Sequence, residues 1–229
     1  MRVLCELSGG ADSTLAAIMA KNKYPKAEFF SLFVNYNQKA VSLEVRASQD
    51  IHRMLGWPIS SWKSVGIYDL FDGPLINTVS GDVDKVWNNL AAAYLPLRNL
   101  VIGAIAVSWA DAIKADVIIS GSKGLVKIET DPYSFKDSTV PFYVLMEAVA
   151  NYAKESGRVS IEPILAENRN TKMTKKEVYR QLRSMGFTYT DTVSCFTPVG
   201  NAVCGKCKNC VEKRRLWDEI VQEENECGQ

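Results

Sequence analysis

The 229-residue chain has a single histidine, almost no net charge and no long apolar run. Its 27 basic and 26 acidic residues leave a formal charge of +1, whereas proteins that bind nucleic acids usually carry a strong basic bias. The longest apolar run, residues 100–110, is far shorter than the roughly 20 residues that span a bilayer. We therefore expect no direct nucleic-acid partner and no membrane partner.

The sequence also shows no targeting segment. The first seven residues are too few for the apolar part of a secretory signal, and Glu6 interrupts them. We expect a soluble protein located in the cytoplasm. His52, the one histidine, falls in a helical pattern away from the polar motifs, which predicts a structural or surface role for it.

Apolar periodicity alternates between strand and helix along most of the chain, which is typical of a parallel α/β sheet. The pattern predicts strands at residues 3–7, 28–34, 58–65, 116–120 and 159–161, and helices at 13–21, 43–55, 99–114, 141–155, 174–185 and 208–224. Residues 66–94 and 123–140 are less regular and are predicted to be long loops. Thr174 and Glu177 predict a capping box at the start of one helix, which Gly186 would end.

The most informative polar segment, residues 8–14 with the sequence S-G-G-A-D-S-T, lies between the first strand and the first helix. We call it the 8–14 loop. A loop at the carboxyl end of a parallel strand points its N–H groups outward, and the following helix adds the positive end of its dipole. Two glycines allow a phosphate to approach the backbone closely. The predicted anion site comprises Ser8, Gly9, Gly10, Asp12, Ser13 and Thr14.

Two common nucleotide motifs do not fit the 8–14 loop. It lacks the G-K-[S/T] ending of a Walker A loop, and it lacks the G-x-G-x-x-G of dinucleotide-binding folds. The simplest alternative is a polar turn that caps a helix.

Four of the six cysteines lie close together near the C-terminus, and in a cytoplasmic protein such clustering favours a metal over disulfides. Overlapping C-x-x-C-x-x-C spacing supplies three thiolates, and a fourth precedes them by nine positions. Tetrahedral zinc takes four such ligands. The predicted ligands, which we call the cysteine cluster, are Cys195, Cys204, Cys207 and Cys210. An iron–sulfur cluster and a redox pair are the alternatives. Cys5 is predicted to be a core residue, and Cys227 a free thiol.

The 8–14 loop resembles the S-G-G-x-D-S motif of the PP-loop ATP pyrophosphatases. That resemblance implies a Rossmann-like sheet of the adenine nucleotide alpha hydrolase type, and cleavage of ATP between its α- and β-phosphates. The loop would hold the departing pyrophosphate. Asp12, a carboxylate beside phosphates, would need a cation there, and Mg²⁺ is the expected one. Expected domains are residues 1–190, with the ATP pyrophosphatase fold, and residues 191–229, a zinc-binding segment with a helix.

Three further segments resemble the QueC family of 7-deazaguanine enzymes. They are P-L-R-N at residues 96–99, M-T-K-K-E at 173–177 and T-V-S-C-F at 192–196. The family's activity implies that 7-carboxy-7-deazaguanine and ammonia become the nitrile through adenylated intermediates, with ATP, Mg²⁺ and structural zinc. The implied catalytic residues are Asp12, Ser13, Arg98 and Lys175, with both cations neutralising phosphate charge. The implied substrate-binding residues are Asn99, Asp137, Ser138 and Thr139.

The resemblance also implies a homodimer, for which the apolar residues 87–100 would offer a surface. Some segments depart from the family pattern. Leu97 replaces an asparagine, and residues 120–124 read S-G-S-K-G where the family has a short G-x-H-x-x-D segment. A related enzyme that stops at the amide, or one that adenylates another substrate, therefore remains the alternative.

Overall fold

The computed structural model describes residues 1–71, 75–76, 95–124, 135–155, 157–166 and 173–227. Most of the predicted loop at residues 66–94 and much of the one at 123–140 lie outside the described residues, as do residues 87–94 of the expected dimer surface. No helix among the described segments has the length and apolar character needed to cross a membrane.

In the described part of the chain, five parallel strands form one sheet in the order β3-β2-β1-β4-β5. The strands are β1 (Arg2–Glu6), β2 (Glu28–Asn35), β3 (Trp62–Gly66), β4 (Val117–Ser120) and β5 (Ser160–Pro163). The helices are α1 (Ala11–Lys23), α2 (Val41–Met54), α3 (Arg98–Ala112), α4 (Val140–Ala153), α5 (Lys175–Ser184) and α6 (Lys208–Cys227). The predicted parallel α/β sheet is confirmed.

Successive residues of β1 point to opposite faces of the sheet, and this alternation explains how the helices are distributed. Cys5 and Leu7 face a core built with α1, α2, α5 and α6. Leu4 faces a second core that α3 and α4 complete. Cys5 is 1% exposed, so its predicted place in the core is confirmed.

The chain leaves β1 toward β2 on one side of the sheet, and it leaves β4 toward β5 on the other side. The strand order therefore reverses between β1 and β4, and ligands of open α/β sheets bind at the carboxyl ends of the strands at such a point. The 8–14 loop begins directly beyond the carboxyl end of β1.

Some predicted boundaries shift for local reasons. Residues Ile59–Ser61 form a 3-10 turn, in which Ser61 N donates to Pro58 O, so the predicted strand at 58–65 starts later, at Trp62. The first helix begins at Ala11 because Gly10 takes the N-cap position. The capping box of Thr174 and Glu177 is confirmed, and Gly186 follows α5 with a φ of 87°.

The C-terminal segment is packed against the rest of the chain. Leu216, Trp217 and Ile220 of α6 belong to the same apolar core as α1 and α5. A domain boundary near residue 190 stays a prediction.

Candidate functional site

The backbone of the 8–14 loop is folded closely against α2. Gly9 has a φ of 79°, and a Cβ atom there would lie 2.7 Å from Glu44 O and 2.9 Å from Ser48 N. Gly9 is thus required both for its left-handed backbone and for the close approach. Gly10 then begins α1, whose first N–H groups have no partner within the helix and point toward the carboxyl edge of the sheet.

Two hydroxyls predicted to bind phosphate are used inside the loop. Ser13 Oγ donates to Gly10 O at 3.0 Å, and Thr14 Oγ1 donates to the same carbonyl at 2.7 Å. Ser13 Oγ also accepts from Ser8 N at 3.2 Å. These bonds hold the turn in shape, so the main-chain N–H groups are the donors best placed for an anion.

Asp12 lies between two lysine side chains. Lys175 Nζ is 2.5 Å from Asp12 Oδ2, and Lys123 Nζ is 3.4 Å from Oδ1. Burial alone would raise the pKa of Asp12, but the two ammonium groups outweigh it and hold that pKa below its usual value. Asp12 also raises the pKa of Lys175 against the opposing effect of burial. At neutral pH the site therefore has two cations and one anion beside the loop.

Lys123 is a site residue that the sequence prediction missed. It follows β4, the neighbour of β1, and Gly121 of the same segment packs on the first turn of α1. A Cβ atom at Gly121 would lie 2.9 Å from Ser13 N. The signal available in the sequence was position alone, because residues just beyond two adjacent parallel strands meet at one edge of the sheet.

The other predicted cation, Arg98, and the predicted amide, Asn99, contact different neighbours. Arg98, the first residue of α3, has its guanidinium 5.7 Å from the ring centroid of Tyr36. Asn99 Nδ2 donates to Asp137 O at 3.1 Å. Of the residues implied to neutralise phosphate, Lys175 therefore lies against Asp12, whereas Arg98 lies over Tyr36.

The segment implied to recognise the substrate base forms a 3-10 turn, Lys136–Ser138, held by its own hydroxyls. Ser138 Oγ donates to Phe135 O and Thr139 Oγ1 donates to Lys136 O, both at 2.8 Å. Thr139 is buried, whereas Asp137 is half-buried. Ser138 is also half-buried, and the binding role of this segment stays a prediction.

The cysteine cluster is assembled as its spacing predicts. The four Sγ atoms lie within 4.8 Å of one another, and Cys195 and Cys204 are 3.6 Å apart. Zn–S bonds of about 2.3 Å in a tetrahedron place sulfur atoms about 3.8 Å apart, so the cluster fits one ion of that size. Burial raises the pKa of the Cys195 and Cys210 thiols, which therefore need a cation to ionise.

The turn around the cluster supplies further support. Gly205 has a φ of 69°, as expected for the tight turn between Cys204 and Cys207. The N–H of Cys207 and the hydroxyl of Thr197 each donate to Cys204 Sγ at 3.3 Å. Burial opposes ionisation of Cys204, but these donors prevail and lower its pKa to about 6.

His52 and Lys213 show how differently two buried basic residues are used. His52 is buried, with Ser31 Oγ 2.8 Å from Nδ1 and Pro58 O 2.9 Å from Nε2, so its predicted structural role is confirmed. Lys213 lies three residues after Cys210, the last member of the cysteine cluster. The structure buries it to 4% exposure, and its Nζ donates to Thr192 O at 2.5 Å.

Comparisons with known proteins show the family to which the chain is similar. The family model described as queuosine biosynthesis protein QueC matches residues 2–221. A 7-cyano-7-deazaguanine synthase from Acidobacterium capsulatum is 26% identical over 95% of this chain and 91% of its own length. One from Methanocaldococcus jannaschii is 26% identical over 95% of this chain and 94% of its own, and one from Rickettsia africae is 28% identical over 90% of each.

Among solved structures, the U34-tRNA thiolase NcsA from Methanococcus maripaludis with its [4Fe-4S] cluster aligns with a TM-score of 0.49. That alignment has 15% identity and covers 99% of this chain and 66% of the thiolase chain. The family model spans nearly the whole chain, from β1 and the 8–14 loop to the cysteine cluster and most of α6. The chain therefore belongs to the QueC family of queuosine biosynthesis proteins.

Proposed function

We propose that the protein is an ATP-dependent carbon–nitrogen ligase that converts 7-carboxy-7-deazaguanine and ammonia to 7-cyano-7-deazaguanine. Membership of the QueC family and the name shared by its relatives support this activity. The observation that carries the proposal is the 8–14 loop at the reversal of the strand order, with Asp12 between Lys175 and Lys123. This arrangement suits the phosphates of a nucleotide.

The chemistry needs positioning and charge neutralisation more than acid–base groups in its first step. A carboxylate resists nucleophiles until AMP is attached to one of its oxygens and pyrophosphate departs. The N–H groups of Gly10 and the first turn of α1 would bind the pyrophosphate, while Lys175 and Lys123 offset the charge that develops. Ammonia would then displace AMP to give the amide, and a second ATP would activate the amide oxygen before the nitrile forms.

The residues present fit both expected metal ions. Asp12 Oδ1 is buried and accepts no hydrogen bond from the described residues, although Lys123 Nζ lies 3.4 Å away. Asp12 would hold Mg²⁺, which when bound neutralises phosphate charge. The cysteine cluster would hold zinc, and four thiolates leave no open position, so its role would be structural. Such thiols favour a reducing compartment, and we propose the cytoplasm.

Asp137 would contribute to recognition of the deazaguanine base. A carboxylate accepts hydrogen bonds from an N–H edge like that of guanine, and Asn99 fixes the backbone of this residue. The hydroxyls of Ser138 and Thr139 would keep the turn in place, and their main-chain groups would face the substrate.

Product identification by mass spectrometry tests the proposal. We expect the purified protein, ATP, Mg²⁺, ammonium and 7-carboxy-7-deazaguanine to yield the nitrile, AMP and pyrophosphate. Asp12→Asn should abolish all three products. Asp116→Asn is the matched control, because Asp116 precedes β4 at the opposite edge of the sheet. No nitrile from the wild-type protein at saturating ATP would refute this function.

A specific observation supports a second candidate function. Residues 120–124 and the carboxylate of Glu6 lie at the substrate edge of the sheet, and residues 120–124 depart from the family pattern. Different residues at 120–124 would be expected in an enzyme that stops at the amide or that adenylates another carboxylate. The same assay separates these outcomes, since the amide and the nitrile differ in mass by one water.

We further propose that the protein is a homodimer whose interface includes one face of α4. That face carries Val144, Leu145, Val149 and Tyr152, which are 60%, 67%, 67% and 94% exposed. Burying such a stripe is favourable at about 25 cal/mol per Å², and a symmetric contact would bury it twice. Light scattering should show a dimer that Leu145→Lys with Val149→Lys converts to a monomer. Met185→Lys, at an exposed apolar residue elsewhere, should remain dimeric.

A further inference from the structure

Glu6 is a carboxylate at the end of the central strand, where the preceding residues are apolar. It is the last residue of β1, it pairs in register with Leu32 of β2, and its other neighbour is β4. The alternation of β1 places its side chain on the same face as Leu4, the face that α3 and α4 cover. Glu6 therefore lies at the reversal of the strand order, two residues before the 8–14 loop, where ligands of such sheets bind.

A chain of hydroxyl groups joins Glu6 to the segment proposed to bind the substrate. The Ser120 side chain interacts with the Glu6 carboxylate, and its Oγ donates to the Tyr143 hydroxyl at 2.9 Å. Tyr143 of α4 also interacts with Ser122, whose Oγ donates to Ser138 O. These polar side chains extend from the end of β1 to the 3-10 turn that contains Asp137.

The surroundings of Glu6 adjust its acidity toward neutrality. Burial raises the pKa of Glu6 to about 7, against the opposing hydrogen bond from Ser120. Among the described residues, the titratable group that faces it is the Tyr143 phenol on α4, while β2 contributes the apolar Leu32. The Cys5 thiol on its own strand points to the opposite face of the sheet. A carboxyl group in this range both accepts and releases protons near neutral pH, as an effective general base must.

We propose that Glu6 is the base that takes the proton from ammonia as ammonia displaces AMP. In this step the nitrogen lone pair forms the C–N bond, the bond from carbon to the AMP oxygen breaks, and AMP leaves with that electron pair. The nitrogen, now positively charged, gives one proton to the Glu6 carboxylate and a neutral amide results. This role rests on the proposed function and adds to it a residue that neither the family motifs nor the sequence analysis assigned.

Two half-reactions separate this role from nucleotide binding. Exchange of labelled pyrophosphate into ATP, dependent on the carboxylate substrate, reports adenylation. Amide formation reports the ammonia step. We expect Glu6→Gln to keep the exchange rate within about twofold and to slow amide formation from ammonia by roughly 10²–10⁴-fold, the usual contribution of a general base. When the concentration of unprotonated ammonia is held constant, the rise of the amination rate with pH through about 7 should disappear in this variant.

Hydroxylamine provides a readout that a merely structural role would not change. It is a far weaker base than ammonia, so its adduct loses a proton to water without help. Glu6→Gln should therefore form the hydroxamate at nearly the wild-type rate. Ser120→Ala removes the hydrogen bond that lowers the pKa of Glu6, so it should move the pH dependence of amination upward. Glu162→Gln is the matched control, because Glu162 is a strand carboxylate that pairs with Lys23 and Tyr24 instead.

The possible outcomes distinguish the role of Glu6 from the proposed function on which it rests. Intact exchange together with wild-type amination and an unchanged pH profile in Glu6→Gln would overturn the role of Glu6 alone. Loss of exchange and amination together in a folded Glu6→Gln protein would also overturn it, in favour of a role in nucleotide binding. Absence of exchange in the wild-type protein would overturn the proposed function, and the role of Glu6 with it.

Discussion

Val193 N donates a hydrogen bond to Gly9 O at 2.9 Å, which fastens the segment ahead of the cysteine cluster to the 8–14 loop. The segment is held from its other side by Lys213 of α6, whose Nζ lies 2.5 Å from Thr192 O. Lys213 follows Cys210 by three residues, so one continuous path joins the cysteine cluster to the turn proposed to bind pyrophosphate. The C-terminal segment therefore supports the shape of the nucleotide site as well as the fold.

Loss of the metal should accordingly weaken nucleotide binding. We expect Cys207→Ser to lose bound zinc and to lower the melting temperature by roughly 10 °C or more, because structural zinc contributes folding energy directly. Where the variant remains folded at low temperature, its affinity for ATP should also fall. Metal analysis, thermal unfolding and calorimetry check this. Cys227→Ser, outside the cysteine cluster, should keep one zinc per chain, and a Cys207→Ser protein with wild-type ATP affinity would contradict the path described above.

A substitution of Lys213 tests the same path without changing any of the four cysteines. Lys213→Met keeps the length of the side chain but removes the bond to Thr192 O, which frees Val193 and Gly9 to move. A charged hydrogen bond of this kind is worth about 1.5–3 kcal/mol, so the KM for ATP in pyrophosphate exchange should rise roughly tenfold or more. Lys206→Met changes an exposed lysine of the same segment and should have no effect. An unchanged KM with a lowered melting temperature would make Lys213 structural only.

Lys123 should matter to the chemical step. Lys123→Met leaves Asp12 with Lys175 alone and removes one cation from beside the phosphates. We expect the exchange rate at saturating ATP to fall roughly 10–100-fold, equivalent to about 1.4–2.8 kcal/mol. Lys114→Met, at an exposed lysine before the opposite end of β4, is the control. Equal rates for the two variants would remove Lys123 from the site.

These predictions show which parts of the site the sequence reveals. The 8–14 loop and the cysteine cluster are contiguous motifs, and their local geometry follows from glycine conformation and ligand spacing. Contacts between residues of different strands cannot be predicted from local sequence in this way. Lys123 meets Asp12, and Glu6 meets Ser120, only because β4 lies beside β1, and no local pattern states the order of strands in a sheet.

Side-chain direction is the second quantity that the sequence hides. Ser13 and Thr14 were expected to donate to phosphate, but both hydroxyls turn inward to Gly10 O. Lys213 belongs to a strongly charged helix, yet it is buried and its Nζ donates to Thr192 O. In each case the side chain donates to a nearby main-chain carbonyl oxygen, because leaving a buried polar group unpaired is costly.

The charge of Glu6 should reduce stability above neutral pH. Its pKa is about 7 in the folded protein, against a usual value of 4.5, so between these values the folded state binds more protons than the unfolded state. Stability from this group is complete below pH 4.5 and is lost as the pH rises through 7. Glu6→Gln mimics the protonated acid. It should melt roughly 2–6 °C above the wild type at pH 8.5, and the two should nearly coincide at pH 4, where the carboxyl group is protonated in both the folded and the unfolded state. A higher melting temperature of the wild type at pH 8.5 would show that the carboxylate is stabilised by the fold.

Leu97 is the clearest case of local strain near the site. It precedes α3 with a φ of 49°, in the left-handed region that costs a side chain like leucine about 1–2 kcal/mol, and its side chain is 53% exposed. Asparagine, which the family pattern has at this position, tolerates that backbone better. Leu97→Asn should therefore raise the melting temperature by roughly 2–4 °C. Leu100→Asn, at another exposed leucine but in ordinary helix, should lower it slightly. The substitution keeps the backbone conformation ahead of Arg98 and Asn99, so Leu97→Asn should also keep full activity. A fall in melting temperature would mean that the packing of Leu97 outweighs the strain of its backbone.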